Sequence, residues 1–202
     1  MRYLFDVGAH WGQDSLDVTR NNPDIACFAF EPTPELAAEL RVKSKDFADR
    51  YFVYEYAISN YNGVSEFNLV VGDTGSASLN SFSDNLNETW PGRTDFVVRK
   101  TIEVPVFRLD TWLNIYGENI DEIYHLHIDA QGSDLNVLKG LGDKISIVQS
   151  GVIEVPQQDN LRLYKGQHTK NECLEFLEKN NFVINKIVSQ VNEDNLFFGR
   201  KK

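Results

Sequence analysis

Apolar and polar positions along this chain change period many times. Residues 3–7 form a short apolar run, and 26–30 (ACFAF) is a continuous one ending at Glu31-Pro32. Unbroken apolar runs of this length suit strands buried on both faces. Leu36, Leu40 and Phe47 then recur at helical spacing, with Thr33 placed to cap the helix and Pro34 in its first turn. Residues 51–58 (YFVYEYAI) read as a third strand, Asn62-Gly63 as a hairpin signal, and 66–71 as the return strand. Residues 72–98 show no clean period and are rich in turn-forming residues, so they read as an insert, a loop or lid. Residues 101–109 form a strand whose Pro105 predicts an edge or irregular position. A short helix at 110–116, a buried strand at 123–129, a helix at 133–141 capped by Ser133, and a strand at 148–155 follow. Thr169 and Glu172 make a capping box for a helix through Lys179. Residues 182–188 and 195–199 close the chain as an antiparallel pair. Such alternation predicts an α/β fold, a mostly parallel sheet with helices on both faces, in one domain over 1–202.

Composition narrows the classes. The chain has 202 residues, 42% hydrophobic and 25% charged, with no apolar run near the ~20 residues of a membrane span. The first residues lack the apolar core of a signal peptide. Cys27 and Cys173 are too few for a disulfide scaffold; both sit in apolar segments and read as buried thiols, with a reducing cytoplasm as the expected home. A net charge of −10 opposes nucleic acid and anionic membranes as partners. It leaves room for a small neutral, cationic or zwitterionic ligand.

Parallel sheets bind ligands at the carboxyl ends of their strands. Asp6-Gly8, Glu31-Pro32, Ala57-Ser59, Asp129-Gln131 and Glu154-Pro156 all lie at predicted strand ends, and four of these five ends carry a carboxylate. The stretch DVGAHWGQDSL resembles a dinucleotide turn only in part: Gly8 and Gly12 are present, the third glycine is not, and His10 stands where a pyrophosphate would pass. Glu31, nineteen residues after Gly12, is placed to accept hydrogen bonds from ribose hydroxyls. The pattern suits a nucleoside without a pyrophosphate, and S-adenosylmethionine fits it.

DVGAHWGQ, FEPTPE, YAISNYNG, GSAS, VFRLDTWL, HLHIDAQGSDLNVLKG and VIEV, in this order over residues 3–155, resemble the FkbM-type methyltransferases. The resemblance implies S-adenosylmethionine-dependent O-methylation of a small molecule or glycan. It also implies a Rossmann-like, doubly wound sheet of seven strands with the last one antiparallel. Asp6, Gly8, Ala9, His10, Gly12, Gln13, Glu31, Pro32, Ala57, Ser59, Ser76, Ser78 and Asp129 are the implied cofactor residues. Gln131 and His168 are the expected acceptor contacts. A hydroxyl acceptor must lose its proton during attack, and the base candidates are Asp129, Glu154 and His168, in that order. The family commonly has Asn at the position of His10, and glutamates at those of Gln131 and Asp134. His125, His127 and Asp129 share one face of a strand; packing is preferred to metal ligation for the two histidines, and no metal is expected. Two rival readings are a nicotinamide-dependent oxidoreductase and a cofactor-binding protein without catalysis.

Overall fold

The computed structural model describes residues 1–72 and 74–201. Seven strands form the main sheet: β1 (Arg2–Val7), β2 (Ile25–Phe30), β3 (Tyr51–Tyr54), β7 (His125–Ile128), β8 (Ser150–Pro156), β9 (Phe182–Ser189) and β10 (Glu193–Arg200). Their order is β3-β2-β1-β7-β8-β10-β9. All neighbours pair in parallel except β10, which runs antiparallel to both β8 and β9. The expected Rossmann-like mixed sheet is therefore present. Its last strand in sequence is the antiparallel one, inserted one place in from the edge.

Alternation along β1 explains why the runs look uniformly apolar. Phe5 and Val7 enter one core with Phe30, Leu126, Ile153 and Phe198. Leu4 enters the other with Cys27, Ala29 and Leu40. Helices α4 (Leu109–Tyr116), α5 (Asp134–Lys139) and α6 (Lys170–Lys179) supply the first core through Trp112, Leu135, Leu138 and Leu177. Trp112 stands edge-on to Phe5 and Phe30. Helices α1 (Leu16–Asn21) and α2 (Pro34–Lys43) close the second core with Leu16 and Leu40. No helix among the described residues is long and apolar enough to cross a membrane.

Four local expectations change. Residues 51–58 are two strands: after β3 the chain turns at Glu55-Tyr56, and β4 (Ala57–Ile58) joins a second sheet. That sheet has the order β4-β6-β5, with β5 (Gly63–Gly72) and β6 (Phe96–Phe107) antiparallel. Pro105 thus lies on a central strand, although β4 meets only Val106 and Phe107, so β6 is paired on one side at Pro105 itself. The insert is partly ordered: it holds a 3₁₀ turn at Thr74–Ser76, the one-turn helix α3 (Leu86–Thr89) and the start of β6. Phe82, Leu86, Trp90 and Phe96 pack there against Leu163 and Tyr164. These partners lie far off in sequence, so no local period betrays the packing. Of the caps, Thr169 makes the reciprocal capping box, whereas Thr33 and Ser133 occupy N-cap positions without a side-chain cap bond.

Candidate functional site

The order of the sheet reverses between β1 and β7, and the residues after these two strands meet there. Gly8 has φ 82°. A Cβ on it would lie 1.9 Å from the Asp129 carbonyl oxygen, so only glycine lets the two strand ends close on each other. The Gly8 and Ala9 N–H groups both donate to the Phe30 carbonyl, which ties the turn to β2. His10 follows in the left-handed region at φ 47°. Its N–H donates to Glu31 Oε2 at 2.9 Å, and its Nε2 lies 2.8 Å from Thr74 Oγ1 across the mouth of the site. Gly12 serves packing instead. A Cβ there would strike the Leu16 and Leu40 side chains, so this glycine seats α1 against α2.

Glu31 is 4% exposed. Its Oε1 accepts from the Thr33 N–H at 2.8 Å. Each carboxylate oxygen thus holds one backbone N–H and keeps acceptor capacity for a ligand. Burial pushes this carboxyl up, and the bonds from Thr33 and His10 oppose it.

On the other side, Asp129 follows β7, and Gln131 takes φ 46°. The Gln131 amide meets Asp129 Oδ1 in a short contact and lies 2.7 Å from the Tyr164 hydroxyl. Tyr164 Oη also lies 2.9 Å from the Ser76 carbonyl, and Ser78 Oγ donates to the Gln131 carbonyl at 2.7 Å. Asp134 Oδ1 and Oδ2 accept from the Ala130 and Gly132 N–H groups. Burial, reinforced by the charge of Asp129, lifts Asp134 to about 8. Burial likewise raises Asp129, against the bond from Gln131 and the charge of His127. Below the site, His127 Nδ1 lies 2.9 Å from Asp6 Oδ1, and Asp6 is 1% exposed. Burial alone would lower His127; the Asp6 bond and charge, helped by Asp14 and Asp129, carry it to about 9. His125 Nδ1 meets Ser150 Oγ at 3.0 Å. No group of three His, Cys, Asp or Glu among the described residues is arranged to hold a metal.

Between the two turns lies a pocket. Gly8, His10, Gln13, Glu31, Pro32, Ala57, Asp129 and Gln131 line it, as the sequence suggests. Tyr56, Ile58, Phe67, Thr74 and Leu79 line it too; Tyr56 and Ile58 fall in the stretch YAISNYNG, and the other three in none of the quoted stretches. The other expected residues lie apart. Asp6 is under the floor, and Ala9 and Gly12 are packed in the turn. Ser59 donates its N–H to the Phe107 carbonyl beneath α5. Ser76 and Ser78 act through the roof bonds above. Glu154 sits behind Asp129, not in the lining, and is pushed well up by burial and by Asp129. His168 pairs with Lys139 at 3.0 Å, outside the pocket. The enclosed space is about 90 Å³, below the ~300–1,000 Å³ of most ligand sites. A groove of about 500 Å³ adjoins it and shares Thr33, Thr74 and Ala77.

The family model described as methyltransferase FkbM domain matches residues 6–184. Comparison with curated protein sequences finds no match. Among solved structures, the chain is similar to precorrin-6y C5,15-methyltransferase from Geobacter metallireducens GS-15, at TM-score 0.51 and 14% identity, over 100% of this chain and 80% of that one. It is similar to TrmK of M. capricolum, solved with S-adenosyl-homocysteine, at TM-score 0.50 and 10% identity, over 100% of this chain and 63% of that one. A third is an O-methyltransferase family protein from Burkholderia thailandensis, at TM-score 0.51 and 11% identity, over 98% of this chain and 51% of that one. The chain therefore spans less than two thirds of the latter two proteins. At such identities the likeness speaks to the fold alone. The family match covers most of the chain and includes both turns of the site: the chain belongs to the FkbM methyltransferase family and is a methyltransferase that uses S-adenosylmethionine.

Proposed function

We propose that this chain methylates a hydroxyl oxygen of a small molecule or glycan, with the cofactor seated between Glu31 and Asp129. The observation that carries the seating is Glu31: a buried carboxylate at the end of β2, aimed by two backbone N–H groups, facing a pocket whose floor only Gly8 permits. Its free lone pairs suit a pair of ribose hydroxyls. Tyr56, Ile58 and Phe67 offer a flat apolar slot for a base. Asp129 faces the cationic end. A net charge of −10 weighs against a polynucleotide acceptor, and the buried free thiols of Cys27 and Cys173 suit a reducing cytoplasm.

Bound S-adenosylmethionine supplies an electrophilic methyl group and a thioether that leaves without protonation. The protein itself provides alignment and proton removal. Asp129 lines the pocket and takes the acceptor's hydroxyl proton on its carboxylate. Glu154 stands behind it as a second carboxyl, held from the pocket by burial. Because the enclosed space is small, residues 74–79 lift for the ligands to enter. His10–Thr74, Tyr164–Ser76 and Ser78–Gln131 tie this roof across the pocket.

Calorimetry with S-adenosylmethionine, S-adenosylhomocysteine and NADH tests the reading. Both sulfur nucleosides bind and NADH does not. Glu31→Ala weakens the cofactor by ~1.5–3 kcal/mol, the scale of hydrogen bonds to a charged group. Unchanged affinity in a folded Glu31→Ala protein, or NADH binding in place of the sulfur nucleosides, overturns the seating. Transfer of labelled methyl to a panel of hydroxylated small molecules and glycans tests the acceptor class, and labelling confined to nitrogen or carbon acceptors overturns it.

A further inference from the structure

Asp129, the Gln131 amide, the Tyr164 hydroxyl and the Ser76 carbonyl stand in a row. The row has three contacts, and each needs one hydrogen. Tyr164 has a single hydroxyl hydrogen, yet it lies 2.7 Å from the Gln131 amide and 2.9 Å from a carbonyl that only accepts. When Asp129 is a carboxylate, the amide N–H must face it. The amide oxygen then faces Tyr164, and one hydrogen serves two contacts. When Asp129 is protonated, its O–H donates to the amide oxygen. The amide N–H then donates to Tyr164 Oη, and Tyr164 donates to Ser76. Only in this second arrangement is every contact filled. The two differ by half a turn of the amide, whose O and N ends have nearly the same shape.

We propose that Gln131 is a reversible positioning residue: its amide turns with the proton on Asp129 and so links the charge at the reacting end of the pocket to the Tyr164–Ser76 tie on the roof. This rests on the reading that Asp129 faces the cofactor's cationic end. A cationic ligand favours the Asp129 carboxylate, whose proton passes to solvent. The amide N–H then swings to Asp129, and the tie to Ser76 gives up its full hydrogen bond. When Asp129 gains a proton, the tie refastens. A glutamate at position 131 would place a second carboxyl against Asp129 and has no N–H to turn. Ser78 Oγ on the Gln131 carbonyl, and Gly132 against the Tyr164 ring, hold the backbone still while the amide moves.

Other charges face Asp129: His127 on its own strand, Asp6 on β1, Asp14 after β1, Asp134 on α5 and Glu154 on β8. The test therefore brackets the link with variants rather than relying on pH alone. Hydrogen exchange of residues 74–79 is followed from pH 5 to 9 in the ligand-free protein, corrected for intrinsic rates. Wild type is protected at low pH and loses protection several-fold as pH rises. Asp129→Asn, whose side-chain N–H₂ can donate to the amide oxygen as the protonated acid does, stays at the protected limit throughout. Tyr164→Phe and Gln131→Met, which cannot complete the row, stay at the unprotected limit. A pH-independent wild type, or a wild-type profile persisting in both of the latter variants, overturns the link. Calorimetry of wild type with S-adenosylmethionine in two buffers of different ionisation heat checks the underlying reading separately. Proton release on binding supports both; no binding at any pH sinks the cofactor seating, while the exchange profile still decides the link.

Discussion

Two turns build the pocket, and they solve one geometric problem with different chemistry. The turn after β1 carries Gly8, His10 and Gly12 at positive φ; the turn after β7 carries Gln131 and Gly132 there. In each, a non-glycine residue sits in the left-handed region, where strain costs ~1–3 kcal/mol and marks sites held by their surroundings. The first turn presents backbone N–H groups, and its acid arrives from the next strand as Glu31. The second presents side chains, and its acid Asp129 is its own, gripped by Gln131. The first is a cradle built on backbone N–H groups, with Gly8 and Ala9 bonded to the Phe30 carbonyl and His10 to Glu31. The second is a cluster of groups whose charges depend on one another. In the proposed function, binding geometry falls to the first and proton chemistry to the second.

That contrast can be broken from either side. The largest effect is expected at the seam between the turns. Gly8→Ala meets a backbone oxygen at 1.9 Å with φ 82°, and should cost ~4 kcal/mol or more in urea unfolding. Stability near wild type would mean the strand ends do not need to close. On the second turn, Asp129→Asn keeps the shape and removes the charge. Turnover should fall by ~10²–10⁴-fold with a far smaller change in cofactor affinity; a loss of affinity as large as the loss of rate would assign Asp129 to grip rather than to proton removal.

His127→Gln probes the charge balance under both turns. It leaves Asp6 buried without its cation and should cost ~3 kcal/mol at neutral pH. Since folding raises His127 from 6.5 to about 9, its contribution is complete below about pH 6.5 and fades as pH climbs through about 9. The gap between mutant and wild type, read by denaturation, should therefore narrow toward pH 10. A gap that widens reverses the sign of the argument. The smallest effect is expected at Gly12→Ala, where the added Cβ meets Leu16 and Leu40 side-chain atoms rather than backbone, at the same kind of φ. Stability should drop by ~1–2 kcal/mol with cofactor affinity nearly intact. A large affinity loss would return Gly12 to the binding surface.

Much of the cradle was legible from residue types and spacing. Gly8 and Glu31 read correctly as neighbours because a glycine after one strand and an acid after the next are brought together by any right-handed β-α-β connection. Gly12 looked equivalent to Gly8 in sequence, yet it packs helices, since the spacing of glycines says nothing about what each approaches. Phe67 and the break in 51–58 stayed hidden because the second sheet arises from pairing with β6: Ala57 meets Val106, 49 residues on, and Phe67 meets Ile102, 35 residues on. Tyr164 was illegible for the same reason. Its segment carries no motif, and its role comes from Ser76 and Gln131, 88 and 33 residues away.

Sequence by itself determined the alternation, the strand ends that carry acids, and the glycine-marked turn after the first strand. These follow from periods and from steric rules that act within a few residues. Tertiary structure alone decided which acids share a cavity and which are set behind it. It also decided which glycine lines the pocket, and that an insert without local period is folded by a distant cluster of aromatic rings. Burial, charge neighbours and hydrogen-bond order are properties of contacts, and contacts between distant segments exist only once the chain has closed.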